Sequence, residues 1–406
     1  MNLFNYTHNY IYIIKCKNFY HNLLNIQFFK HFKSTEKFGL LKRFYSTKFI
    51  SEVYEKYDKN NNDKKCIILR NAQRVYKDIK IIENEKECEE AAEEINRNEI
   101  IAIDFEGTNL GRYGKVCLMQ VYVEKKNINE QSENIFQKYY IFDLLKTSVI
   151  KSAQKIIENK KTLKLIHDCR EDSSALYNQL GIKLENVYDT SRAYILLMEK
   201  QKKNDIYQVS FSKLINDYLG INDDSLSIIK KEMYKNEKIW ETRPLSNISI
   251  IYALKNVKYL YKLYKIFDKL LPKKLVLEKS KDFVNYCYLN YEYKLPNDLA
   301  KRGNIVEAML VSKSLLNCVF KLNSTRKGMA CTPSTIAHFV DVKIGDVVLC
   351  VVSNKSINQK ILYLCKHDDV YDYWNLKERP REKFKPSIHE RTTDPMITFC
   401  NEEYTS

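Results

Sequence analysis

Apolar and polar positions alternate along the chain in two distinct rhythms. Over residues 83–98 the apolar positions Cys88, Ala91, Ala92 and Ile95 recur at helical spacing with acids early in the segment, which predicts a surface helix. Residues 100–103 (Ile-Ile-Ala-Ile) form a short unbroken apolar run that reads as a buried strand. Residues 116–123 and 139–143 read as further strands, together an antiparallel meander, and residues 163–166 as another buried strand. A helix follows, with Ala175, Leu176 and Leu180 on its apolar side, and residues 187–190 bring in one more strand and helix start. Such alternation of strands and helices predicts a mixed sheet. From residue 257 a helix carries Leu260, Leu263 and Tyr264 on one side until Pro272 stops it, and helical character continues to about residue 293. The rhythm then changes. Residues 305–311, 318–322, 328–331, 346–352 and 360–364 are brief apolar runs with turn residues between them, interrupted by a helix start at Thr332-Pro333, which predicts a small β-barrel or half-barrel.

Composition adds a charge argument. The 406 residues hold 67 Lys+Arg against 51 Asp+Glu, a formal charge of +16, which favours a polyanionic partner such as nucleic acid. Eleven Cys without a C-x-x-C pair read as reduced thiols, neither a disulfide framework nor a zinc site. No apolar run approaches the 18 residues of a membrane-spanning helix. Residues 1–45 hold seven Lys/Arg and one acid, Glu36, and are cationic and amphipathic. That pattern is the signature of an organellar presequence, and Arg43-Phe44-Tyr45-Ser46 is similar to a mitochondrial cleavage junction. The expectation is a mitochondrial protein, with a plastid-type organelle or the cytoplasm as alternatives. Removing +6 with this leader leaves +10, of which five lie in residues 301–331 (Lys301, Arg302, Lys313, Lys321, Arg326 and Lys327 against Glu307).

The chemistry concentrates where strands end. Residues 100–103 run into Asp104-Phe105-Glu106-Gly107, and strand alternation puts both carboxylates on one face. Two like charges that close raise each other's pKa unless a cation lies between them. The next buried strand ends in His167-Asp168-Cys169-Arg170-Glu171-Asp172, with Asp172 in the first turn of a helix whose dipole favours an anion. His167 reads as a shaper of that turn, and Trp240 with Arg243-Pro244-Leu245 as a structural turn.

In order, Ile-Asp-Phe-Glu-Gly, Ile-His-Asp-Cys-Arg-Glu-Asp-Ser-Ser-Ala-Leu, Val-Tyr-Asp-Thr, Trp240-Glu241-Thr242-Arg243-Pro244-Leu245 and Tyr252-Ala253 resemble the DEDD superfamily of 3′-5′ exonucleases. The likeness is to its ribonuclease D-like branch with the Tyr variant of the third motif. Phe105, Gly107, Gly111-Arg112-Tyr113-Gly114 and His167–Arg170 are similar to Egalitarian-type members. This resemblance implies a ribonuclease H-like mixed α/β sheet flanked by helices over residues 76–272, after a linker at 46–75. A helical connector at 273–300, a small C-terminal β-barrel-like domain at 301–370 and a flexible tail at 371–406 complete the expected layout. It also implies two divalent ions about 4 Å apart astride the scissile phosphate. Asp104 would bridge both, Glu106 would ligate the ion holding the attacking water, Asp172 would support the second, and Tyr252 would orient the water. Mg²⁺ or Mn²⁺ suits all-oxygen ligands. Arg112 and Arg170 are candidate phosphate contacts, at even odds with plain solvation. Ile344-Gly345-Asp346-Val347-Val348 is similar to the opening of S1/OB-type RNA-binding barrels, so Lys313, Arg326 and Lys327 are candidate nucleic-acid contacts, and RNA is favoured over DNA.

One position departs from the motif. Tyr-x-x-x-Asp reads Tyr252-Ala253-Leu254-Lys255-Asn256 in this chain, so Asn256 replaces a metal-ligating carboxylate. The next acid along the helix is Asp268, three turns away. Two readings follow: an exonuclease with weakened metal affinity, or a nucleic-acid-binding adaptor that no longer cuts.

Overall fold

In the computed structural model, residues 79–126, 135–203, 206–221, 236 and 238–367 are described. The expected presequence, linker and tail lie outside the described residues. Strands β1 (Ile79–Ile82), β2 (Ile100–Thr108), β3 (Lys115–Lys126), β4 (Ile135–Asp143), β5 (Leu163–Ile166) and β6 (Val187–Asp189) form one sheet in the order β1-β4-β3-β2-β5-β6. β2, β3 and β4 make the antiparallel meander, while β5 and β6 add in parallel to β2. β2 therefore lies inside the sheet, with Ile101, Ala102 and Ile103 all fully buried, and the carboxylates at its end start from rigid backbone.

The flanking helices follow from their apolar stripes. Helix α1 (Glu85–Asn96) buries Cys88, Ala91, Ala92 and Ile95, and the Asn84 side chain caps it by accepting from the Glu87 N–H at 3.0 Å. It packs on α2 (Thr147–Ile157). Helices α3 (Arg170–Ala175), α4 (Thr190–Lys200), α5 (Phe211–Leu219), α6 (Asn247–Lys258) and α7 (Leu260–Leu270) complete this part. α6 lies against β2 and β3, and α7 against β5 and α4. No helix among the described residues is long and apolar enough to cross a membrane.

Helix α8 (Lys273–Val284) is more than a connector, because it packs on β6, α3 and α4 and buries Val276, Ser280 and Phe283 there. A 3₁₀ turn (Asn285–Tyr288) and the short α9 (Pro296–Leu299) lead on. β7 (Ile305–Lys313), β8 (Cys318–Lys321), β9 (Lys327–Ala330), β10 (Val347–Lys355) and β11 (Ile361–Lys366) then close a barrel in the order β7-β8-β9-β11-β10. β9 and β11 are parallel, and α10 (Pro333–Ala337) bridges β9 to β10. This is the layout of an OB-type barrel. Phe320 and Phe339 meet inside it, with ring centroids 4.9 Å apart.

The barrel is seated on the α/β domain. β7 is buried on both faces: Val306, Ala308 and Leu310 fill the barrel, while Glu307 and Met309 face the connector and α3. Asn290, fully buried, accepts from the Glu307 N–H at 2.8 Å and donates to the Glu307 and Leu322 carbonyls. The Ser174 hydroxyl donates to Asn323 Oδ1. Arg192 donates to the Ile344 carbonyl at 2.7 Å. Gly345 at φ +92° lies so near that a Cβ there would stand 2.8 Å from Arg192 Nη1, so both the backbone angle and the contact demand glycine.

Candidate active site

Asp104 and Glu106 emerge on one face at the end of β2, with Phe105 turned into the core. The pairing of β2 with β3 shifts register just after Glu106, and a Cβ on Gly107 would meet the Lys115 carbonyl oxygen at 2.2 Å, so only glycine lets the strands close beside the carboxylates. The following loop is anchored to the connector: Arg112 donates to the Asn290 and Tyr291 carbonyls (2.7 and 2.9 Å), and Tyr113 to the Tyr293 carbonyl.

Asp172 stands in the first turn of α3, 6% exposed. The turn before it is built by Asp189, a residue that sequence reasoning passed over. Its buried carboxylate caps α4 and accepts from the N–H groups of Asp168 (3.0 Å), Cys169 (2.8 Å), Ser191 (2.8 Å) and Arg192 (3.2 Å). One carboxylate thus satisfies the donors of two chain segments and sets where α3 begins. The Asp-Thr at a strand end was the available signal, but the second pair of donors comes from about twenty residues upstream. His167 spans the same junction, Nδ1 to Thr190 Oγ1 at 3.0 Å and Nε2 to the Val209 carbonyl at 3.1 Å. It is therefore engaged in the turn and not offered as a base.

α6 brings the third motif. Ser246 caps it, accepting from the Ser249 N–H at 3.1 Å. Asn256 lies one turn beyond Tyr252, and its Nδ2 donates to Glu106 Oε1 at 2.8 Å. The Tyr252 ring rests 5.9 Å from that of the buried Trp240. The Trp240 turn is held by Arg243, which grips both oxygens of Asp143, and by Glu241, which accepts from Lys115 at 2.8 Å and Thr108 at 2.9 Å.

The three acids sense one another. Burial pushes the Asp104 carboxyl up to about 7, against the stabilising Asn256 amide. Burial and then the Asp104 charge raise Glu106 well above its usual value. Asp172 is raised by burial and by the charges of Asp104, Asp168 and Glu106. Three carboxylates that disfavour one another's ionisation, plus an amide oxygen, suit a hard divalent cation in donor chemistry. Among the described residues no three His, Cys, Asp or Glu side chains converge as a metal cage.

The expected phosphate-binding cations are placed otherwise, with one exception. Arg170 has no exposed surface: its Nε donates to Asp168 at 2.5 Å, its Nη1 points at Met309 Sδ, and the guanidinium lies 4.3 Å over the Phe283 ring. Burial opposes it, yet the Arg170 charge holds the Asp168 carboxyl below the ordinary carboxylate range. Arg112 is buried against its two carbonyls, and Arg326, 5% exposed, donates to the Gln359 carbonyl and to Asn297. Lys313 donates to the carbonyls of Phe339, Val340 and Val342. All four take part in holding the fold together, Arg112, Arg170 and Arg326 from buried positions and Lys313 from a half-buried one. Lys327 is exposed on the barrel.

Residues 79–272 match the family of 3′-5′ exonucleases. The chain is 31% identical over 163 residues to the piRNA biogenesis protein EXD1 of Mus musculus, spanning 37% of this chain and 26% of that protein. It is 26% identical over 194 residues to the EXD1 of Bombyx mori, spanning 46% of this chain and 55% of that protein. The match thus takes in little more than half of the second relative's length and about a quarter of the first's. Among solved structures, Trypanosoma brucei RNase D is similar at 20% identity and a TM-score of 0.44, over 52% of this chain and 72% of that one. Asp104, Glu106 and Asp172, carried on β2 and α3 in motif order, thus lie within residues 79–272, the stretch of the chain that is similar to 3′-5′ exonucleases.

Proposed function

We propose that the protein trims RNA from its 3′ end by phosphodiester hydrolysis, with a metal site weakened by Asn256. The observation that supports this most directly is the approach of β2, α3 and α6, three distant stretches of sequence: Asp172 feels the charges of Asp104 and Glu106, and Asn256, one turn beyond Tyr252, donates to Glu106. A divalent cation bound there, Mg²⁺ or Mn²⁺, would supply Lewis-acid polarisation of the phosphate and of an attacking water. Asp104, Glu106, Asp172 and the Asn256 Oδ1 are the residues to hold it. Tyr252 would orient the water with its hydroxyl. RNA as substrate draws on the relatives, which are piRNA biogenesis proteins. The acid-poor leader supports an organellar, mitochondrial location, to be tested by N-terminal sequencing of the protein isolated from its own cells.

A second reading has its own observation. Asn256 Nδ2 already donates to Glu106 Oε1, which favours an adaptor that holds nucleic acid without cutting it. A nuclease assay on purified protein in Mg²⁺ and in Mn²⁺, beside Asn256→Asp and Asp104→Ala, separates the two. Cleavage by the wild type that Asp104→Ala abolishes supports the enzyme; no wild-type cleavage, with gain in Asn256→Asp, leaves the adaptor.

A further inference from the structure

The outer surface of the barrel divides in two. β7 turns Glu307 and Met309 into the contact with the exonuclease domain, where both are buried. β8, β9 and β11 turn theirs outward, and strand register arranges them in rows. Val319 lies opposite Met329, and Met329 opposite Tyr363; in the next row Lys321 lies opposite Lys327, and Lys327 opposite Ile361. Phe320 and Leu362, between the rows in sequence, point inward with no exposed surface, so the six side chains share one outer face.

Charge singles this face out. Residues 318–331 and 347–367, which supply β8 to β11 apart from the α10 region, contain six Lys/Arg and no Asp or Glu. Arg326 alone among those six is buried. A phenol ring beside a thioether and an aliphatic side chain offers bases a flat apolar seat, and the exposed Lys327 ammonium offers a phosphate a counter-charge. The face also reaches the exonuclease domain: Lys321 Nζ meets Glu171 Oε1 at 2.7 Å, and Glu171 immediately precedes Asp172.

We infer that the face formed by Val319, Met329 and Tyr363, flanked by Lys327, is a binding site for single-stranded polynucleotide. This rests on the reading that the domain acts on nucleic-acid strands, and it adds the surface that grips the strand beside the carboxylates. Fluorescence anisotropy tests it, with the full chain in EDTA and 12-nucleotide labelled oligo(U) and oligo(dT), the two arms distinguishing RNA from DNA. Tyr363→Ala with Met329→Ala is expected to weaken binding about ten-fold or more, while Tyr363→Trp, which keeps a stacking ring, binds within about three-fold of wild type. Lys327→Ala is expected to lower the slope of log affinity against log salt by about 0.7. The site is overturned if the triple variant Met329→Ala, Tyr363→Ala, Lys327→Ala melts like wild type and keeps its affinity and salt slope. It is equally overturned if Tyr363→Trp loses binding along with the alanine variant, or if duplex of the same length binds as tightly. Loss of binding in the alanine variants, with no cleavage by any form including Asn256→Asp, would leave this site standing while removing the hydrolysis reading.

Discussion

Asn256 Nδ2 donates to Glu106 Oε1 across 2.8 Å, joining α6 to β2 over 150 residues of sequence. Where the family motif has a carboxylate beside the other acids, this chain has a neutral donor. The amide relieves part of the repulsion between Asp104 and Glu106, and its attraction lowers the ionisation cost of both. The same substitution removes a negative charge that a cation would otherwise meet.

Asn256→Asp should therefore act in opposite directions with and without metal. In EDTA the fourth carboxylate adds repulsion, and the melting temperature should fall. In millimolar Mg²⁺ or Mn²⁺ it should rise above wild type, and 3′-end cleavage of a labelled oligonucleotide should increase by about 10- to 100-fold. Differential scanning fluorimetry and gel-based cleavage measure the two halves separately.

Asp104→Asn removes the acid that both Glu106 and Asp172 feel. Cleavage by the wild type should disappear in this variant. In EDTA at pH 8 the variant should melt a few degrees higher than wild type, since roughly 1 kcal/mol shifts a domain of this size by about 2–4 °C. An unchanged or lower melting temperature would show that the acids do not repel as described.

Arg170→Met takes a fully buried cation away from the half-buried Asp168, which keeps the Gln208 amide as a donor. Breaking such a pair from one side costs about 3–5 kcal/mol, readable as a lowered midpoint in urea denaturation. Arg170→Lys should rescue little, because the planar fork that spans Asp168, Met309 and Phe283 is lost. Were Arg170 a phosphate contact, the Met variant would keep its stability and lose only nucleic-acid affinity.

Asp282 supplies a pH signature. Burial raises its carboxyl to about 6, against the pull of Arg192 and Lys279 and with Asp346 and Glu278 nearby. The folded form thus holds a proton that the unfolded chain releases near 4. Stability from this residue is present below pH 4, declines as pH rises through 6, and then levels off, a change of at most about 3 kcal/mol. Asp282→Asn should flatten that part of the profile in denaturation midpoints collected from pH 4 to 8.

The elements were legible where period alone decides. Cys88, Ala91, Ala92 and Ile95 line the buried side of α1, and residues 100–103 form the buried strand, because one face of each must leave water. The placement of Asp104 and Glu106 at a strand end, and of Asp172, Tyr252 and Asn256 on two helices, was legible from spacing in the same way. The fates of Arg112, Arg170, Lys313 and Arg326 were not. A cation looks the same in sequence whether it meets a phosphate or a carbonyl, and the carbonyls that these four reach, or the Asp168 and Met309 around Arg170, depend on how the barrel seats. Asp189 was hidden for a related reason: half of its donors belong to a segment that only folding brings near.

The match to the 3′-5′ exonuclease family ends at residue 272, but the folded molecule has no seam there. Phe283 and Met309, the walls around the Arg170 guanidinium, come from beyond that point, as do the carbonyls that hold the loop following Glu106. A gene fragment cut to the recognisable portion would open a charged hole one turn from Asp172 and release that loop. The smallest autonomous unit of this protein is thus larger than residues 79–272, and the barrel is part of the scaffold of the α/β domain.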